Sequence, residues 1–259
     1  MRIARFSTNG DPRFGVVGDD AGTAVVGVLE GDPLHSRLRL SGEKLPLDAV
    51  RLLAPVLPRS KVVGIGRNYA AHAAEMGNDP PQQPLVFFKP NTSVVGPHDA
   101  IVYPTQTRSL HFEGELAVVI KRICRDVDVS DVPKVVYGYT VGNDVTARDL
   151  QERDGQWARA KGFDSFCPLG PWIETELDVG DLAVTTTLNG ERRQDGRTAQ
   201  MIFDVPTLVS YVSSFTTLLP GDVILTGTPA GVGPMEAGDE VAVTVEGIGT
   251  LANPVVARG

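Results

Sequence analysis

The sequence predicts a mixed, mainly β protein with short peripheral helices and a small β-rich unit at its N-terminus. Three observations carry that expectation. Glycine and proline number 28 and 19 among 259 residues, about 18% where ~12% is usual, so turns should be frequent. Apolar and β-branched runs are short and bounded by turn signals. Strands do not alternate with long helical periods, which argues against a doubly wound parallel sheet.

Taken in order, residues 1–56 hold three short strand-like runs, Arg2–Phe6, Phe14–Val17 and Thr23–Leu29, separated by Asn9-Gly10-Asp11-Pro12 and Asp19-Asp20-Ala21-Gly22. This stretch reads as a small N-terminal domain, with residues 57–259 forming the larger one and a boundary near Pro55–Pro58. Lys61–Gly66 reads as a buried strand. Asn68 resembles an N-cap, Tyr69–Met76 one or two helical turns, and Gly77 a helix stop. Leu116–Ile120 and Val135–Val141 read as strands, and Thr146–Arg153 as a short polar-faced helix. Val184–Leu188 and Glu191–Gln194 flank Asn189-Gly190, a strong hairpin signal. Asp204 should cap a helix over Val205–Leu218, with Pro206 tolerated in the first turn. Val223–Thr226, Glu240–Val245 and Thr250–Val255 complete the strands.

The balance of 24 Lys+Arg against 32 Asp+Glu gives a formal charge of −8. Without a basic block, binding to nucleic acid or to an anionic membrane is not expected. Cys124 and Cys167 cannot build a disulfide framework or a cysteine zinc site. MRIARFSTNG has no apolar core of a secretory signal, and no apolar run approaches ~20 residues, so a cytoplasmic location is expected. Gly64-Ile65-Gly66-Arg67-Asn68-Tyr69 mimics a dinucleotide fingerprint. Its third glycine position is Tyr69, and no acid lies between Pro80 and His98. P-loop, zincin and nucleophile-elbow motifs do not occur.

Several residues carry chemical promise. Glu113 and Glu115 flank Gly114 and point to one face of an extended chain. Like charges that close favour a cation between them or a protonated carboxyl. Asp144, after another strand-like run, could add a third oxygen, and three carboxylates favour Mg²⁺ or Mn²⁺ over zinc. On spacing alone, the commoner outcome of E-x-E is two solvated carboxylates at a strand start. His72 and Glu75 share a helix face at i, i+3, as a water-activating pair requires; a surface histidine with a helix-pair glutamate fits equally. Lys161, between glycine and aromatic neighbours, could stabilise an oxyanion. Arg148 and Gln151, also i, i+3, could bind a carboxylate. Either cation could as well be a solvated charge. Thr226-Gly227-Thr228-Pro229-Ala230-Gly231 could present N–H groups and a hydroxyl to an anion, or be a plain turn.

In order, Gly66–Met76 (GRNYAAHAAEM), Phe87–Gly96 (FFKPNTSVVG), His111–Ile120 (HFEGELAVVI), Gly138–Gln151 (GYTVGNDVTARDLQ), Lys161–Pro171 (KGFDSFCPLGP) and Leu225–Gly233 (LTGTPAGVG) resemble the fumarylacetoacetate hydrolase family, bacterial single-repeat type, over residues 61–256. The resemblance implies a β-roll with its active site open at one end. It implies Mg²⁺, or Mn²⁺, held by Glu113, Glu115 and Asp144, and catalysis by His72, Glu75 and Lys161. Arg148, Gln151 and Thr228 would bind the substrate. The expected activity is that of a 2-hydroxyhepta-2,4-diene-1,7-dioate isomerase or an acylpyruvate or fumarylpyruvate hydrolase, acting through a metal-stabilised enolate in aromatic-compound catabolism. An oxaloacetate decarboxylase or tautomerase is the alternative, and a metal-stabilised binding module the non-enzymatic one. The expected partners are a small anionic substrate and a second copy of the chain as a homodimer.

Overall fold

The structure is a computed structural model that describes residues 1–258. Strand outweighs helix, 43% against 17%, which is the mainly β outcome expected. Its largest element is a twelve-stranded sheet. The order across it is Leu40–Pro46, Thr23–Leu29, Arg13–Asp20, Arg2–Ser7, Cys167–Glu174, Val136–Asn143, Gly114–Ile120, Val223–Leu225, Val62–Gly66 and Leu85–Lys89, with two short strands off that path. The N-terminal strands join this sheet directly, with Arg2 opposite Glu174 and Ile3 opposite Ile173. A five-stranded sheet packs on one side, and a three-stranded one places Leu110–Phe112 between Thr146–Ala147 and Gly233–Met235. Among the described residues, four short α-helices lie outside the sheets: α1 (Ala70–Glu75), α2 (Arg148–Asp154), α3 (Ala158–Lys161) and α4 (Val205–Phe215). No helix is long and apolar enough to cross a membrane among the described residues.

Gly114–Ile120 shows why this sheet has no wet face at its centre. All seven residues are buried. Leu116, Val118 and Ile120 pack against Val184, Val243, Val245 and the α4 residues Leu208 and Val212. Ala117 and Val119, of opposite parity, pack with Ile3, Leu169 and Val223. A strand covered on both faces reads as an unbroken apolar run because the period of two has no polar side to reveal. Glu115 has the parity of Ala117, and Gly114 that of Leu116.

The hairpin forms as foreseen: Leu188 pairs with Glu191, and Asn189 and Gly190 both take positive φ, 52° and 80°. Asp204 Oδ1 accepts from Thr207 N at 2.9 Å, capping α4. Asp204→Ala should therefore cost about 1 kcal/mol and lower the thermal midpoint by about 2–4 °C; an unchanged calorimetric midpoint would show that the cap contributes nothing.

Other boundaries differ. α4 ends at Phe215 rather than Leu218, because Leu218 exchanges backbone hydrogen bonds with Cys124 at 2.9 and 3.0 Å. Thr146 and Ala147 pair with His111 and Leu110, so the helix begins only at Arg148. Leu40–Pro46 forms an exposed edge strand that the pattern did not reveal; its charged, polar composition suits an edge. Asn68 is not a cap. It is fully buried, and its amide binds Phe203 O, Thr226 O and Phe203 N. Tyr69 occupies the cap position, without a side-chain cap bond. The glycines of the false dinucleotide motif have packing causes instead: a Cβ on Gly64 would lie 2.2 Å from the Phe87 ring, and one on Gly66 2.5 Å from Trp157. Both cysteines are free; burial pushes the Cys167 thiol up to about 12.

Candidate active site

Two chain segments bring the acidic residues together. Glu113 sits in the one-residue break between Leu110–Phe112 and Gly114–Ile120. Its N–H donates to Asn143 Oδ1 at 2.9 Å, and its carbonyl accepts from Asp144 N at 2.8 Å. Antiparallel pairing of Gly114 with Asn143 thus sets Asp144 beside Glu113. Glu115 follows on the same strand, its Oε2 accepting from Gly227 N at 2.6 Å. One oxygen of each carboxylate lies within 4.8 Å of the others, and all three residues are buried. The solvated-pair outcome open for E-x-E is thereby set aside. An all-oxygen, buried, anionic donor set fits a hard divalent cation.

Gly114 is required by the same packing. A Cβ there would meet Thr186 Oγ1 at 2.3 Å and Val243 at 2.8 Å. Its N–H donates to Gln194 Oε1 at 2.9 Å. Gln194, fully buried, also accepts from Thr186 Oγ1 and donates to Thr228 Oγ1 and Pro229 O, each at 2.7 Å. Thr228 in turn donates to Gly114 O at 2.9 Å. This amide ties the acidic strand to the TGTPAG loop. The loop does present N–H groups to anions, but to the protein's own: Gly227 to Glu115, and Gly231 to Glu75 at 3.0 and 3.2 Å.

Three cations face the carboxylates. Lys161 Nζ lies 2.8 Å from Glu113 Oε2 and 2.5 Å from Asp144 Oδ2. Arg148 pairs with Glu113 and donates to Gln151 Oε1 at 2.9 Å. Lys89, 1% exposed, reaches Asp144 Oδ1 at 2.5 Å. Burial works to raise the Glu113 carboxyl, but the charges of Lys161, Arg148 and His72 overcome it and hold it well below the usual range. Glu115 goes the other way: burial first, then the charges of Asp144 and Glu113, push it well above. Lys161 is raised despite the burial that opposes it, chiefly by the Asp144 and Glu113 charges.

A pocket of about 260 Å³ opens over the cluster, lined by His72, Glu113, Arg148, Gln151, Lys161 and Thr228, with Arg67, Asn78, Glu152 and Trp157 among the other contributors. His72 is buried, and its Nδ1 lies 3.2 Å from Glu75 Oε2. That contact leaves Nε2 as the ring nitrogen free for chemistry. Burial, then the Arg148 charge, pull the His111 imidazole down to about 4, so the ring is held neutral. Arg148 Nε, Tyr69 OH and Asn143 Nδ2 are buried without a hydrogen-bond partner among the described residues.

All nine residues singled out in the sequence therefore converge on one region. Two are placed differently from the simplest expectation: Lys161 and Arg148 bind the carboxylates themselves. Other contributors were missed, Lys89, Gln194, Arg67 and Trp157 among them. Lys89 was visible only as the polar end of the FFKP strand; Gln194 lay inside a hairpin arm. Arg67 and Trp157 carried no signal beyond residue type.

The fumarylacetoacetate (FAA) hydrolase C-terminal family model matches residues 61–256, and an Rv2993c-like N-terminal model matches residues 1–55. The crystal structure of 2-hydroxyhepta-2,4-diene-1,7-dioate isomerase from Mycobacterium marinum is 47% identical, with a TM-score of 0.92 over 100% of this chain and 99% of that one. Fumarylpyruvate hydrolase from Pseudomonas aeruginosa, in complex with Mn²⁺ and pyruvate, is 36% identical, with a TM-score of 0.74 over 84% of this chain and 93% of that one. A mitochondrial oxaloacetate tautomerase of Homo sapiens is 44% identical over 82% of this chain and 71% of its own length.

Proposed function

Because the chain belongs to the fumarylacetoacetate hydrolase family, whose members are isomerases and hydrolases, we propose that it is a divalent-metal-dependent enzyme of 2-hydroxydienoic or 2,4-dioxo acids. Its reaction is that of a 2-hydroxyhepta-2,4-diene-1,7-dioate isomerase or an acylpyruvate or fumarylpyruvate hydrolase, working through an enolate in the catabolism of aromatic compounds. Glu113, Glu115 and Asp144 would hold Mg²⁺ or Mn²⁺, and the family resemblance favours a homodimer.

The observation that carries this reading is the charge count of the cluster. The protein supplies three carboxylates and three cations, Lys89, Lys161 and Arg148, in direct contact. A divalent ion would leave the site with two positive charges in excess and would supply Lewis acidity toward the carboxylate and 2-oxo oxygens of a 2-oxo acid. That excess matches a ligand with one carboxylate and a second oxyanion that develops as the enolate forms.

The chain's own groups do the rest. Arg148 lines the pocket and sets its positive charge beside Glu113, where it attracts the substrate carboxylate. Lys161 places a buried ammonium where enolate charge grows, and low local dielectric strengthens that attraction. Gln151 steadies Arg148, and Thr228, its hydroxyl held between Gly114 O and Gln194 Nε2, forms part of the wall. His72, its ring oriented by Glu75, takes a proton at Nε2 from water for C–C cleavage. Moving a proton along a diene would need only the enolate end. The bulk charge of −8 repels such anions, so recognition is local.

Oxaloacetate tautomerisation is the second reading, favoured by the human relative and by the fact that it needs the same enolate. A panel assay decides: acetylpyruvate, fumarylpyruvate, oxaloacetate and a 2-hydroxydienedioate, each with Mg²⁺ or Mn²⁺, ranked by kcat/KM. Turnover of a dienoic or 2,4-dioxo acid at least about tenfold above oxaloacetate is expected; the reverse order selects the second reading. Tight metal binding with no turnover would make the chain a binding module.

A further inference from the structure

Arg67 is the pocket-lining cation that the acidic cluster does not use. Lys161 and Arg148 are both committed to carboxylates. Arg67 also lines the pocket, but forms no ion pair and no side-chain hydrogen bond among the described residues; its guanidinium lies 5.8 Å from the centre of the Trp157 ring. Its backbone has φ 57°, a left-handed conformation unfavourable for a residue with a Cβ. Such positions are retained where the surrounding structure demands them and cluster at functional sites. Here the turn from Val62–Gly66 into α1 demands it, and brings the side chain to the pocket wall.

The cations and aromatic rings of this wall form a series. Lys161 Nζ lies 5.1 Å from the Phe87 ring centre, Phe87 and Trp157 meet edge to face at 5.5 Å, and Arg67 follows on Trp157. Two aromatic rings thus separate the cation of the acidic cluster from a cation with no partner. Of the other polar groups at this end, Asn78 donates to Met76 O at 2.7 Å. Glu152 is exposed and unpaired among the described residues, where water screens its repulsion.

We propose that Arg67 is the receptor for a distal anionic group of the substrate, so that the site takes 2-oxo or 2-hydroxydienoic acids with a carboxylate at each end and the chain between them against Trp157. The proposal rests on the acidic cluster being the 2-oxo acid end. Arg67 binds and selects; it takes no part in the proton transfers.

The test is calorimetric binding to the Mn²⁺-loaded protein of two ligands of equal length, 2-oxoadipate with a distal carboxylate and 2-oxohexanoate with a methyl end. The wild type should bind the diacid about 30-fold more tightly, the worth of one charge-assisted pair at a half-buried site. Arg67→Met should reduce that preference to less than about threefold, with affinity for the monoacid unchanged, and Arg67→Lys should restore part of it. Equal weakening of both ligands would mark a structural role and overturn the proposal, as would a diacid preference that survives in Arg67→Met. Absence of the preference in a wild type that binds the monoacid overturns Arg67 alone. A wild type that binds neither ligand overturns the reading of the acidic cluster, and this proposal with it.

Discussion

Glu115→Gln is expected to cut divalent-metal-dependent turnover by about a thousandfold or more, while raising the thermal midpoint of the protein without added metal. Both effects have one cause. Glu115 is 1% exposed, and burial together with the Asp144 and Glu113 charges makes its ionised form costly; the Gly227 N–H and the Lys161 charge offset this only in part. Glutamine keeps the shape and an acceptor for Gly227 but removes the charge. The pH dependence follows in sign. A carboxyl raised above its unfolded value near 4.5 contributes stability that is full below that value and lost as pH climbs toward the folded one. A divalent ion competes with that proton. The midpoint gain on adding Mg²⁺ or Mn²⁺ should therefore grow as pH rises above the unfolded value near 4.5 in the wild type and vanish in the variant. Scanning calorimetry with and without metal decides, and a lowered metal-free midpoint or an intact metal response would refute the assignment. Glu113→Ala is a poorer probe. It strips Lys161 and Arg148, both buried, of a shared partner, at a cost of about 3–5 kcal/mol, so lost activity and lost fold would be confounded.

His72→Ala is expected to slow water-dependent C–C cleavage about a hundredfold or more, yet to change enolisation less than about threefold. The geometry separates the two steps. Enolate charge develops beside Lys161 and Arg148 at the acidic cluster, whereas the His72–Glu75 pair stands on α1, anchored from the far side by the Gly231 N–H on Glu75. Acylpyruvate hydrolysis and solvent-deuterium exchange at C3 of the same compound, followed in one sample, read the steps apart. Equal loss of both would place the pair in a shared step and remove its special role with water.

Much of the strand framework was legible. The Asn189-Gly190 hairpin and the Asp204 cap are local devices, decided by which backbone angles and hydrogen bonds a few neighbouring residues allow. Local chemistry also made the nine candidate residues visible: paired carboxylates two apart and a histidine and glutamate three apart are short-range patterns. The short strand Leu110–Phe112 was not legible, since it exists because of a partner remote in sequence; the edge Leu40–Pro46 pairs with the preceding strand but is exposed along nearly its whole length, so no apolar alternation marks it. Asn68 misled for the same reason: its residue type suits a cap, but its amide serves backbone groups 135 and 158 positions away.

By itself, then, the sequence determined the mainly β class, the turns that punctuate it and the types of residue able to act. Only the tertiary structure decided how those residues divide their work. Long-range pairing sets Glu113 against Asp144 and brings Lys89, Lys161 and Arg148 to them, and burial makes the charges interact strongly enough to drive Glu113 and Glu115 in opposite directions. It also left Arg67 unpaired beside Trp157. Charge interaction depends on distance and dielectric, and neither is written in sequence separation.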